Sequence, residues 1–151
     1  MILQNIMTTK ESLQPRSNDE TEVRALIERW ARAVREANLE AIRADHDPEI
    51  LMFDVPPPFL SQGLDAYMAT WDEFLASSEK PIVFDFYDVM VTAGQDVAFA
   101  TAIGKCVSID PNGQREALEF RLTMGSAKST AAGASWMSTI PCLPNECALV
   151  H

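Results

Sequence analysis

At Pro81 the hydrophobic pattern of the chain changes period, and few architectures accommodate that change. Before it, apolar residues return every three or four positions. Val23, Leu26, Ile27, Trp30, Val34 and Ala37 form one such set, and Leu64, Tyr67, Met68, Trp71, Phe74 and Leu75 another. Each makes a single stripe along a helix. After Pro81 the pattern alternates. Ile82, Phe84 and Phe86 oppose Asp85 and Tyr87, and Leu118, Phe120 and Leu122 oppose Glu119 and Arg121. Strands of this kind turn one face to a core and the other outward. Helices first and strands afterwards predict an α+β fold, with the N-terminal helices packed on a curved antiparallel sheet. The 151 residues suit one domain with one core.

Local signals place the elements. Asn18-Asp19-Glu20 supplies a cap and first-turn acidity for the opening helix. Asn38 breaks that helix, and "LEAIRADH" reads as a second, short one ended by Pro48. Residues 50–55 read as a strand that stops at Pro56–Pro58, because proline has no N–H for a ladder. "SQG" leads to a helix over 64–76. Strands follow at 82–91, 97–109 and 116–124. "TAGQD" turns the first into the second, and "DPNG" turns the second into the third, since Asn-Gly tolerates positive φ. The domain is expected over residues 20–140, between a polar tail at 1–19 and a second tail at 141–151.

Charge narrows the function. With 22 acidic and 12 basic residues the formal net charge is −10. Nucleic acid and anionic membrane surfaces need clustered Lys and Arg, so neither is an expected partner. No run of 18 apolar residues suggests a membrane span. The N-terminus lacks a basic region followed by an apolar segment, so a cytoplasmic location with reduced Cys106, Cys142 and Cys147 is expected. Cys142 and Cys147 have a C-x4-C spacing, but His46 and His151 are the only histidines, and no metal site is expected. No Ser-His-Asp order, Cys-His pair or Gly-rich phosphate loop points to nucleophilic chemistry.

Asp54 stands out, a carboxylate inside the apolar run "ILMFDV". Two readings are open. It is a strand-end group bonded to loop amides or an arginine, or it faces an apolar pocket whose low polarity raises its pKa toward that of a general base. It shares strand parity with Ile50 and Met52. Trp30 is either core packing or a pocket wall offering a flat face and one N–H. His46, between Asp45 and Asp47, reads as a surface group, and Tyr67, Trp71 and Phe59 read as structural.

The segments "LIERWARAVREANLEAIRA", "FDVPPPFLSQGLDAYMATWDEF", "VTAGQDVAFATAIG" and "FRLTMG" together resemble the nuclear transport factor 2-like superfamily, in its SnoaL-like and ketosteroid-isomerase-like branch. The resemblance covers residues 20–125. It implies a cone-shaped α+β barrel, an apolar pocket for a small molecule, no cofactor, and a homodimer formed through the outer face of the sheet. In ketosteroid isomerases an Asp on the first strand is the base, and Asp54 matches it. Their oxyanion donors, a Tyr on the first helix and a protonated Asp on a later strand, fall here on Trp30 and near Leu118. A true steroid isomerase is therefore not implied. In the branch the position that matches His46 faces the mouth of the pocket, which implies a proton shuttle here, and the helix that carries Tyr67 and Trp71 lids the cavity. The resemblance thus implies Asp54 and His46 as catalytic residues, with Trp30, Met52, Phe59, Tyr67, Trp71, Phe86, Leu118 and Phe120 around a small apolar ligand. The chemistry is either acid–base catalysis of isomerase, cyclase or lyase type, or non-catalytic ligand binding or dimerisation on the same fold.

After Gly125 the chain departs from the branch. "SAKSTAAGASWMSTIPCLPNECALVH" is rich in small and hydroxyl residues and alternates poorly. Codons for Ser126–Gly133 can be chosen so that a one-nucleotide shift yields Arg-Lys-Ile-Asp-Gly-Arg-Trp, the branch's usual hairpin. Trp136, Met137 and Ile140 remain available for a substitute last strand.

Overall fold

The computed structural model describes residues 18–54, 58–109, 112–129 and 135–143, with Asp54, Ser108 and the last segment as backbone. Helix α1 (Asn18–Arg35) buries the stripe read from its spacing, from Val23 to Val34. Asp19 and Glu20 in its first turn and Arg32 and Arg35 in its last complement the helix dipole. It stops where Ala37 adopts φ 52°. There the Ala37 N–H donates to Val34 O at 3.0 Å and the Asn38 N–H to Ala33 O at 2.9 Å. These bonds satisfy carbonyls that the helix end leaves open. The Asn38 side chain then caps α2 (Leu39–Ala44), accepting from the Ala41 N–H at 3.0 Å. Helix α3 (Leu64–Ala76) has the bounds its spacing predicts.

Among the described residues six strands make one sheet: β1 (Leu51–Asp54), β2 (Leu60–Gln62), β3 (Phe84–Ala93), β4 (Val97–Ile109), β5 (Arg115–Ser129) and β6 (Ser135–Leu143), in the order β2-β1-β6-β5-β4-β3. Pairing is antiparallel except between β1 and β6, which run parallel. Three features differ from the sequence reading. Residues 60–62, read as a connection, form β2. Strand β5 runs on to Ser129. The poorly alternating tail supplies β6, which contains Trp136, Met137 and Ile140 and passes the boundary expected at 140. β6 pairs with β5 on one side and β1 on the other, so ladder hydrogen bonds hold it without help from an amphipathic pattern.

The concave face of the sheet meets the helices. Its β4 positions are small, namely Ala98, Ala100, Ala102 and Gly104, whereas β5 contributes Leu122 and Met124. Gly104 pairs with Phe120 across the ladder. A Cβ on Gly104 would lie 2.2 Å from Phe120 Cζ. The glycine is what lets the ring lie flat over its neighbour strand. Two arginines of α1 tie the helix to the outermost strand. Arg24 Nη1 donates to Val89 O, and Arg35 Nη1 to Phe84 O at 2.9 Å. Between these points β3 bulges at Asp88, whose φ is 51°.

Candidate functional site

Four elements and one loop converge over the concave face. Trp30 comes from α1, His46 from the segment after α2, Tyr67 and Trp71 from successive turns of α3, Phe84 and Phe86 from β3, and Phe120 from β5. Trp30 is the hub. It stacks on Phe86 with ring centroids 5.3 Å apart, and it meets Trp71 (5.8 Å), Phe84 (5.7 Å) and His46 (5.9 Å) edge-on. Phe120 closes the ring system against Phe84 and Phe86. Edge-to-face contacts suit the ring quadrupoles, each worth about 0.5–1.5 kcal/mol beyond area burial.

A short polar chain runs through this apolar group. His46 is buried, with Nδ1 against the Ile42 carbonyl and Nε2 3.0 Å from the Tyr67 hydroxyl. A carbonyl has no proton to offer, so Nδ1 carries the hydrogen and Nε2 the lone pair. Tyr67 therefore donates to His46. Burial lowers the His46 pKa to about 4, against the opposing effects of the Ile42 carbonyl and the Asp45 charge. Burial likewise drives the Tyr67 phenol well above its ordinary range, an effect the neighbouring indoles of Trp71 and Trp30 partly counter. Both groups are neutral at neutral pH.

The two indoles are the unusual part. Trp30 Nε1 and Trp71 Nε1 are buried and have no hydrogen-bond partner among the described residues. They lie near enough to favour charge on the Tyr67 oxygen, yet outside hydrogen-bond geometry. A hydrogen bond requires alignment as well as proximity. Each unmatched buried donor costs roughly 1–3 kcal/mol.

The sequence candidates divide accordingly. Trp30, His46, Tyr67, Trp71, Phe86 and Phe120 come together. Met52 is buried in the adjoining core, and Leu118 packs against that core with no donor to offer. Phe59 does not join them: it is 68% exposed. It follows the prolines into β2, where Ser61 is the buried position and Leu60 and Gln62 face out, and no described residue covers it. Asp54 ends β1, paired with Leu143; its side chain lies outside the described residues. The surface reading of His46 gives way to burial, because Asp45 turns outward to Arg29 at 3.0 Å and Asp47 caps the Glu49 N–H. Phe84, at the centre of the cluster, was legible only as an inward strand residue. Among the described residues no group of three or more His, Cys, Asp or Glu is placed to hold a metal ion, and no helix is long and apolar enough to cross a membrane.

Helices over the concave face of a six-stranded sheet, with an aromatic interior, define the nuclear transport factor 2-like class. The profile of the SnoaL-like domain matches residues 23–131, and the chain belongs to that family. The match ends just before β6. A nuclear transport factor 2-like protein of unknown function from Pseudomonas putida KT2440 is 28% identical, over 83% of this chain and 85% of that one, with a TM-score of 0.73. A ketosteroid isomerase-like protein from Erwinia carotovora atroseptica is 14% identical over 87% and 98%, with a TM-score of 0.72. A nuclear transport factor 2-like protein with a cystatin-like fold from Novosphingobium aromaticivorans is 16% identical over 87% and 84%, with a TM-score of 0.70. The last two share the fold alone. No curated protein matches the chain.

Proposed function

We propose that this SnoaL-like protein is a cofactor-independent acid–base enzyme of isomerase, cyclase or lyase type. Its substrate is a small, apolar, carbonyl-type molecule held against the concave face, and Asp54 is the base. The observation that carries the reading is the neutral His46–Tyr67 hydrogen bond inside an aromatic interior. Such a setting offers hydrocarbon contact and no fixed charge, which suits an uncharged substrate. Ile50 and Met52, the residues of Asp54's strand parity, are buried. On the proposed reading the carboxylate shares their face, where lost hydration would make it a stronger base. In the proposed step the Asp54 carboxylate takes a proton from the carbon beside the carbonyl, and the electron pair moves onto the carbonyl oxygen as an enolate. The proton then returns at another carbon. The fold shared with a ketosteroid isomerase-like protein is compatible with this class of chemistry.

Leu118 favours a second reading. A hydrocarbon side chain stands where the resemblance implies an acid donor, which fits a module that binds the ligand without turning it over. Deuterium exchange beside the carbonyl of small cyclic ketones in D2O, followed by NMR, separates the two. The enzyme reading expects catalysed exchange that falls by about a hundredfold or more in Asp54→Asn. Equal exchange by wild type and Asp54→Asn would remove Asp54 from the mechanism.

A further inference from the structure

We infer that Phe120 sets the size of the ligand, restricting the concave face to molecules of one ring. The inference deepens the ligand-pocket reading above, on which it rests. The register places Phe86, Gly104 and Phe120 side by side on β3, β4 and β5. Gly104 has no side chain to stand between the two rings, and a Cβ there would fall against Cζ, Cε2 and Cε1 of Phe120. The Phe120 ring thus lies across β4 in the place of the missing side chain. There it meets Phe84 at 5.7 Å and Phe86 at 5.8 Å.

This part of the concave face is filled by the protein's own rings. Phe84 and Phe86 are 5.2 Å apart, Trp30 stacks on Phe86 at 5.3 Å, and Trp71 meets Phe84 at 5.5 Å. Aromatic centroids about 4.5–7 Å apart are in contact, so no further ring passes between them. Burial is graded through the cluster. Trp30, Trp71 and Phe84 are buried, whereas Phe86, Leu118 and Phe120 are only partly so. A ligand on the concave face therefore meets that partly covered edge. Phe86 also supports Trp30 from α1, while the ring contacts of Phe120 are with β3. Phe120 is accordingly the ring whose removal makes room without undoing the hub. The room gained is about one ring, since an apolar cavity of about 150 Å³ stays dry and accepts benzene.

The test titrates the full-length protein with two apolar ketones, cyclohexanone and decalone, which differ by one fused ring. An unrestricted apolar site prefers the larger, because more hydrocarbon leaves water. The wild type is expected to prefer cyclohexanone by about tenfold, since a second ring would have to be forced into a filled face. Phe120→Ala should reverse the order, with decalone gaining about tenfold or more. Phe120→Leu keeps an apolar side chain and should fall between the two, and it serves if the alanine variant does not fold. A wild type that prefers decalone, or an order unchanged in the variants, would overturn the size limit and leave the ligand site standing. Binding of neither ketone by any of these proteins would remove the ligand site itself, and the inference with it. Asp54→Asn separates the limit from catalysis: deuterium exchange is lost, and the preference for cyclohexanone persists.

Discussion

His46 shows what a single residue contributes beyond its place in sequence. Unfolded, an imidazole titrates near 6.5; in the fold it titrates near about 4. Between those values the unfolded chain binds a proton that the folded chain refuses. Stability therefore rises with pH across that window and is complete above it. At about 1.4 kcal/mol per pH unit, the full window amounts to roughly 3 kcal/mol. Thermal unfolding of wild type and His46→Gln at about pH 7.5 and about pH 4.5 should show the wild type losing more stability on acidification. Parallel losses would mean that His46 is protonated in the fold. None of this was legible in the residue pattern. Between two aspartates His46 reads as a surface group, and its partners are Ile42 one turn back and Tyr67, 21 residues on. Burial of Trp30, Tyr67 and Trp71 was legible, because each lies on an apolar helical stripe. That two of their N–H groups lack an acceptor is a matter of ring orientation, which no pattern of letters encodes.

At the scale of elements, the β4–β5 ladder depends on an absent side chain. Gly104→Ala forces a methyl into the Phe120 ring, which must then leave Phe84 and Phe86. Overpacking of this kind costs about 1–3 kcal/mol. A smaller side chain in the same background, Gly104→Ala with Phe120→Leu, should recover part of the loss, and denaturant titration of the single and double variants would read the coupling. Additive losses would show that ring and glycine do not meet. The helices and the long strands were legible here, since their periods differ and their punctuation is strong. β2 and β6 were not. A three-residue strand carries too little pattern to register, and β6 is held by neighbours that the chain reaches only after folding.

For the whole molecule, the register lines up Met90, Thr101, Thr123, Cys142, Phe53 and Leu60 in one row across all six strands on the convex side. Met90, Phe53 and Leu60 are exposed, as are Val97, Phe99 and Tyr87. An apolar face of this extent suits a symmetric partner, and we propose a homodimer packed through it. Sedimentation at micromolar concentration should give twice the 16.7 kDa of one chain, and Phe99→Glu should return the monomer. A wild-type monomer under those conditions would refute the proposal.

The two arginines that α1 lays on β3 also bear on how such an association stops. A sheet grows by adding strands at its margins, where unpaired carbonyls recruit foreign amides. On one margin Arg24 and Arg35 already occupy carbonyls of β3, and the bulge at Asp88 interrupts its register. On the other, β2 is three residues long, too short to template a neighbour. The proposed pairing is face against face, a contact that uses up the surface that made it. What these side chains confer is a limit: crowding the protein should multiply pairs and not start a fibre.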